Sequence, residues 1–292
     1  MPPINCDGEP VVVHIPWKLK SAAFSVIDTA SAHKALYFLQ KNATKRSRIV
    51  QVEINPLWQA HADALVQHRA TGKVFEFGAG KTLGQNLFLS TVVDRQIVVD
   101  INPMLDIELV EKTRAQLSRL VTLRASSPIV EADDLDAYGI RYRAPYDAGT
   151  TDFPNGSLDA CVSTNTLEHI PGDTIRKIFT ELRRTLKPNG IVSARIDYSD
   201  HYAHTDRSIS LLNYLRFSEK KWARYNHRCH HQNRMRHYDY VRIFNECGFV
   251  VLDEKLDYAA TDVPASVTDA FKDKPDSWAA TSGHLVLRKL LH

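Results

Sequence analysis

Lys73-Val74-Phe75-Glu76-Phe77-Gly78-Ala79-Gly80-Lys81-Thr82-Leu83-Gly84 runs from a short apolar strand straight into a loop with three glycines. A second apolar run, Gln96-Ile97-Val98-Val99-Asp100, ends in an acid. A strand, a glycine turn and a downstream acid form the apparatus with which a doubly wound sheet holds a nucleoside-containing ligand.

Three readings of the loop compete. Gly80-Lys81-Thr82 supplies the last three residues of a phosphate loop, but that motif needs a glycine where Phe75 stands, so the lysine lacks its cradle. A dinucleotide fingerprint needs G-x-G-x-x-G, and the spacing here is G-x-G-x-x-x-G. The third reading turns on Glu76, an acid inside the strand two residues before Gly78. A carboxylate there is costly to bury without a cationic or hydrogen-bonding partner, and it would repel a diphosphate. An ammonium group on the ligand suits it.

At this point the sequence resembles the class I S-adenosylmethionine-dependent methyltransferases, whose first motif is an acid followed by alternating glycines. Glu76, Gly78 and Gly80 match that motif, while Thr82 stands where a third glycine belongs and Gly84 follows two residues later. The resemblance continues in order along residues 73–197. Asp100 ends the second strand, and Ala144-Pro145-Tyr146-Asp147-Ala148 looks like the end of the third. Phe153 to Ser163 resembles the turn and fourth strand, and Asn165-Thr166-Leu167-Glu168-His169-Ile170-Pro171 resembles a signature of the branch acting on small molecules. Leu182 to Gly190 looks like the helix end and turn before the fifth strand.

The resemblance implies an α/β fold, a doubly wound, mostly parallel seven-stranded sheet with the last strand antiparallel. It implies S-adenosyl-L-methionine as cofactor and S-adenosyl-L-homocysteine as product. It also implies that the cofactor lies against Glu76, Gly78, Ala79, Gly80, Asp100, Ile101, Asp147, Ala148 and Asn165. Asp100 would take the ribose hydroxyls and Asp147 the adenine amino group.

Periodicity alone gives strands at 73–77, 95–99, 140–144, 158–163, 190–197, 249–256 and 284–290, with helices at 84–90, 105–118, 131–138 and 172–186. This alternation argues for a parallel sheet with right-handed crossovers. Residues 1–20 are proline-punctuated and read as irregular or strand-like. Helices are expected over 29–41, where Ala32, Ala35, Leu36 and Leu39 keep helical spacing, and over 56–70, opened by Pro56. Residues 1–72 thus form an N-terminal segment with a helical cap, either a lid or simple packing, and 73–292 the methyltransferase-like domain.

The chain has 292 residues, 43% hydrophobic and 24% charged, with a formal net charge of +3. These values are ordinary for a globular protein, and the charge is too small to argue for nucleic acid. Cys6, Cys161, Cys229 and Cys247 show no C-x-x-C pair, so they read as reduced thiols of a cytoplasmic protein. No segment has the length of a membrane span, and the N-terminus lacks a secretory pattern.

Segment 198–248 is the unusual part. It holds six histidines, and between 201 and 242 nine lysines and arginines face three acids, with aromatics interleaved. Leaving the fifth strand on the ligand side, it is the expected acceptor-recognition insertion, with Tyr198, Tyr202, Arg216 and Arg234 as contacts to a small-molecule or glycan acceptor, sugar-bearing or anionic. A solvated excursion or homodimer contact is the plainer account. RNA methylation is the rival use of the basic stretch, although no Asn-Pro-Pro-Tyr-type tetrapeptide follows the fourth strand. A non-catalytic scaffold is another.

Transfer to a hydroxyl oxygen benefits from a base, and His169, His201 and His204 come from strand ends facing the crevice. Asp200 with His201 and His204 could hold a divalent metal, but histidine-rich segments are usually not metal sites and none is expected.

Overall fold

The computed structural model describes residues 15–29, 52–259, 264, 266–272 and 276–290. The expected helix over 29–41 lies outside the described residues, as does Cys6. Seven strands form one sheet: β1 (Lys73–Phe77), β2 (Arg95–Val99), β3 (Ile140–Arg143), β4 (Leu158–Thr164), β5 (Leu186–Asp197), β6 (Phe249–Tyr258) and β7 (Ala280–Lys289). Their order is β3-β2-β1-β4-β5-β7-β6. Pairs among β1 to β5 are parallel, and β7 runs antiparallel between β5 and β6. The order reverses at β1/β4, the switch point outside which ligands bind in open sheets.

The strands are apolar because both faces are covered. On one face α5 (Gly172–Thr185) and α7 (His237–Glu246) pack through Phe179 and Phe244, stacked at 4.3 Å between ring centroids. On the other lie α2 (Pro56–Gln67), α3 (Gly84–Leu89) and α4 (Ile107–Leu117). There Ala62, Leu65, Leu87 and Val110 meet Val74, Val98 and Val162. The N-terminal helix α2 is therefore part of the sheet's own core. Asn55 caps it, accepting from the Leu57 N–H, with Pro56 at its first turn.

Four expectations change. Residues 17–20 are not irregular: α1 (Trp17–Thr29) begins directly after Pro16, and the Asp206 carboxylate accepts from the Trp17 N–H at 2.8 Å. The proline that reads as a break stands just ahead of a first turn, where its missing N–H costs nothing. Residues 132–138 are a 3₁₀ segment closed by Gly139 in the left-handed region. Strand β5 starts at Leu186, so the expected turn at 187–190 is the irregular beginning of the strand, where its register against β4 slips. Finally, α7 belongs to the sheet's core, with Tyr240, Ile243 and Phe244 buried. The added segment between β5 and α7 ends at Arg236.

That added segment, which carries the short helix α6 (Glu219–Trp222), has its own small core, in which Trp17 of α1 joins Tyr202, Leu212, Tyr214, Leu215, Trp222 and Phe271. No helix among the described residues is long and apolar enough to cross a membrane.

Candidate functional site

The carboxyl ends of β1, β2, β4 and β5 meet at one edge. Glu76 is 4% exposed. Its two oxygens accept from Gln85 Nε2 at 2.9 Å and Asn86 Nδ2 at 2.6 Å, both on α3. Burial pushes its pKa up to about 7 against those two hydrogen bonds, and the charge of Asp100 pushes the same way. Asp100 accepts from the Tyr142 hydroxyl at 2.9 Å, and burial raises it to about 6. Two carboxylates with raised pKa values at one loop are poised to receive a cationic, hydroxyl-bearing ligand. Ile101, the next residue, leaves its apolar side chain 67% exposed.

Both loop glycines are left-handed, Gly78 at φ +79° and Gly80 at φ +76°. A Cβ on Gly78 would stand 2.4 Å from Thr166 Cγ2, so the β4 loop closes on the glycine loop with no room to spare. At Gly80, by contrast, no described atom lies within 4 Å of that position. The third glycine, Gly84, opens α3, and a Cβ there would meet the Trp58 ring at 2.9 Å. Its displacement from position 82 therefore serves helix packing rather than the ligand.

These glycines give a graded expectation. Gly78→Ala should lower stability by about 2 kcal/mol or more, from left-handed strain plus overlap. Gly80→Ala should cost only about 1 kcal/mol yet also lose S-adenosylhomocysteine affinity, because its methyl enters the open space. Thermal melting and calorimetry of the pair separate the two effects; equal melting losses would contradict this account.

Glu76 also begins a buried polar chain. Gln85 Oε1 accepts from the Thr164 hydroxyl at 2.9 Å, and Thr164 meets His61 Nε2 at 3.0 Å. His61 Nδ1 meets Ser193 Oγ at 2.8 Å, and Ser193 meets His284 Nε2 at 2.8 Å. Burial drops the His61 pKa to about 3, so its ring is neutral. Sequence reading missed Gln85, Asn86, His61 and Thr164. A polar Gln-Asn pair at the start of a helix otherwise facing the core was the available signal.

Beyond β4 and β5 lies a histidine cluster. The rings of His169 and His201 stand 4.9 Å apart between centroids, and those of His201 and His204 4.9 Å. The His169 Nδ1–H donates to the His231 carbonyl at 2.8 Å, so Nε2 carries the lone pair in the neutral ring. Burial lowers the His169 pKa, opposed by that carbonyl. The carboxylate beside the histidines is Asp197, with His201 Nε2 at 3.4 Å and His204 Nε2 at 3.6 Å. Burial pushes Asp197 up, but the adjoining His201 ring and hydrogen bonds from Ser199 bring it down to about 2.

The expected partner Asp200 is elsewhere, buried and accepting from Asn213 Nδ2 and the Tyr202 N–H. A loop turn separates it from the rings although it precedes His201 in sequence.

Residues 75–194 match the family model described as a methyltransferase domain. The chain holds a methyltransferase domain. No curated protein matches the chain. Similar solved structures include a methyltransferase from Clostridium acetobutylicum, with 10% identity over 89% of this chain and 99% of that one and a TM-score of 0.47. Another is the 1,6-didemethyltoxoflavin-N1-methyltransferase of Burkholderia thailandensis, at 12% identity, 93% and 90% coverage and a TM-score of 0.48. Likeness this distant carries no argument about the acceptor.

In this methyltransferase domain the other expected contacts are divided. Ala79 is half-buried in the glycine loop, and Asn165 takes φ +49° at the end of β4, its N–H donating to the Arg195 carbonyl at 2.8 Å. Ala148 is buried, but Asp147 is exposed and turned to Lys177 Nζ at 2.7 Å and its own turn.

Of the acceptor contacts, Arg216 is exposed. Tyr198 and Tyr202 are 1% exposed, and the Tyr202 hydroxyl donates to the Tyr225 carbonyl. Arg234 is buried, donating to the carbonyls of Tyr214 and Phe217 and to Glu219. All three hold the insertion together; Tyr198 and Tyr202 are enclosed in it, which corrects their reading as a recognition wall, whereas Arg234 also borders the insertion's groove. Basic and aromatic composition cannot distinguish a wall from a small core.

The insertion's groove, about 510 Å³, is lined by Trp222, His231, Asn233, Arg242 and Phe271. Its cations Arg176, Arg234 and Arg242 are paired with Glu246, Glu219 and Asp239. A second cavity, about 410 Å³, borders Lys73, Arg95 and Gln96 at the amino ends of the strands, away from the site.

Proposed function

We propose that this methyltransferase domain acts on a hydroxyl oxygen of a small-molecule or saccharide-type acceptor. The observation carrying this reading is the histidine cluster beside the glycine loop, with His169 Nε2 left as a Lewis base. The β4 loop that carries His169 packs on Gly78 through Thr166, three residues before that ring. A neutral amine needs little help to attack an electrophilic methyl, whereas a hydroxyl gains from basic nitrogens at its oxygen.

When bound, S-adenosylmethionine supplies a methyl group on a sulfonium centre. Glu76 holds its ammonium group and Asp100 the ribose hydroxyls, while Ile101 offers an apolar surface for the adenine. Gly78, Ala79 and Gly80 let the backbone approach. The fit rests on the two buried carboxylates and the open space over Gly80. His169, His201 and His204 surround the acceptor oxygen and orient it, one of them taking up its proton (His204 if the other two are otherwise engaged), and alignment supplies most of the remaining rate. The groove by His231 receives the rest of the acceptor. Its arginines are already neutralised by acids, which disfavours an obligatorily anionic acceptor and a nucleic acid alike.

Release of S-adenosylhomocysteine with a panel of phenols, sugars and amines tests this. Turnover is expected with hydroxyl acceptors, falling about 10²- to 10⁴-fold in His201→Ala. Turnover restricted to amines, or unaltered in that variant, would refute it.

A further inference from the structure

Glu168 is 1% exposed, and neither carboxylate oxygen has a well-aligned hydrogen bond or a cationic partner among the described residues, only the nearby backbone N–H groups of Glu168 and Asp197. A buried acid so poorly partnered is among the costliest groups a fold can carry, and an absent ion or water is a standard cause. Its surroundings supply the rest of a ligand set. One ligand atom from each of Glu168, His169 and His201 lies within 4.8 Å of the others.

We propose that Glu168, His169 and His201 bind one first-row divalent transition cation. Two imidazoles and a carboxylate suit Zn²⁺, Mn²⁺, Fe²⁺ or Co²⁺ better than Mg²⁺ or Ca²⁺, which prefer oxygen alone. Bonds of about 2.1 Å place tetrahedral ligand atoms about 3.4 Å apart, so these side chains need to close by little more than an ångström.

The outer contacts agree. A ligating histidine usually gives its other ring N–H to a backbone carbonyl or a carboxylate. His169 does so at His231, and its remaining nitrogen, Nε2, is the ligand. In His201 the nitrogen facing Asp197 is Nε2 itself, 3.4 Å from Oδ2, buried and without a well-aligned hydrogen bond, so Asp197 stands beside the ligating atom. Asp197 also gathers His204 into a second set of three, but its Oδ1 already accepts from Ser199 N and Oγ, at 2.8 and 2.6 Å. With Asp197 partly engaged, Glu168 is the primary anionic ligand. Three protein ligands leave positions open, and an open position is where an acceptor oxygen would bind and become more acidic. That last step rests on the hydroxyl-acceptor reading above; the cation site does not.

Titration of the full chain with Co²⁺, followed by visible absorption and calorimetry, tests the site. One Co²⁺ per chain is expected. Affinity should drop at least tenfold in Glu168→Gln, which keeps the side chain's shape, and in His201→Asn. His68→Gln, at the amino edge of the sheet, should behave as the parent and so reports casual histidine binding. Absence of Co²⁺ binding, or affinity unaltered in both ligand variants, overturns the proposal. S-Adenosylhomocysteine binding measured on the same samples should be unaltered in the folded variants. Its loss from the parent protein would sink the functional reading while leaving the cation site standing, and cation binding lost with it intact would do the reverse.

Discussion

Glu76→Gln should weaken S-adenosylhomocysteine binding on the order of 100-fold at pH 7.5, about 2.7 kcal/mol. The side chain is buried, and a charged partner for the ligand's ammonium group is worth more there than at the surface. The amide also meets two donors, Gln85 Nε2 and Asn86 Nδ2, with a single acceptor oxygen. The unligated protein should show the opposite tendency. A carboxylate whose pKa rises from 4.5 to about 7 on folding stabilises the fold below pH 4.5, and that contribution is lost as pH climbs through 7. The loss is about 3 kcal/mol. Melting of the ligand-free protein should therefore fall between pH 5 and 7.5, and fall less in Glu76→Gln. A variant that binds like the parent would remove Glu76 from the site.

The largest effect on stability is expected at Arg236, which is 0% exposed. Its guanidinium donates to the carbonyls of Trp278 and Tyr198, each at 2.7 Å, and of Ala280, and to the Tyr214 hydroxyl. It thereby ties the insertion to the end of β5 and the start of β7. Arg236→Met keeps much of the volume and strands those buried acceptors, costing about 3 kcal/mol or more. For a chain of this size that corresponds to a fall in Tm on the order of 10 °C. Arg216→Met, at an exposed site, should change Tm by little. Similar melting of the two variants would contradict the tie.

The sheet was legible because its strands are short apolar runs buried on both faces and its loop carries an acid before left-handed glycines. Both signals are local. What failed depended on tertiary partners. Tyr202 read as a recognition surface, because nothing in the composition says that the Tyr225 carbonyl and the Trp17 ring of α1 enclose it. Asp200 was adjacent in sequence to His201, whereas the carboxylate that meets the rings is Asp197, at the strand end. Glu168 was quoted in a signature and given no role, because only burial reveals that it lacks a cationic partner.

Proton exchange on binding S-adenosylhomocysteine tests the electrostatic core of this account most directly. Calorimetry near pH 6.5 in buffers of different ionisation enthalpy should show net proton release, as the ligand's ammonium group forces Glu76 to ionise, and the release should shrink in Glu76→Gln. Binding with no proton released, and with equal affinity in that variant, would contradict it.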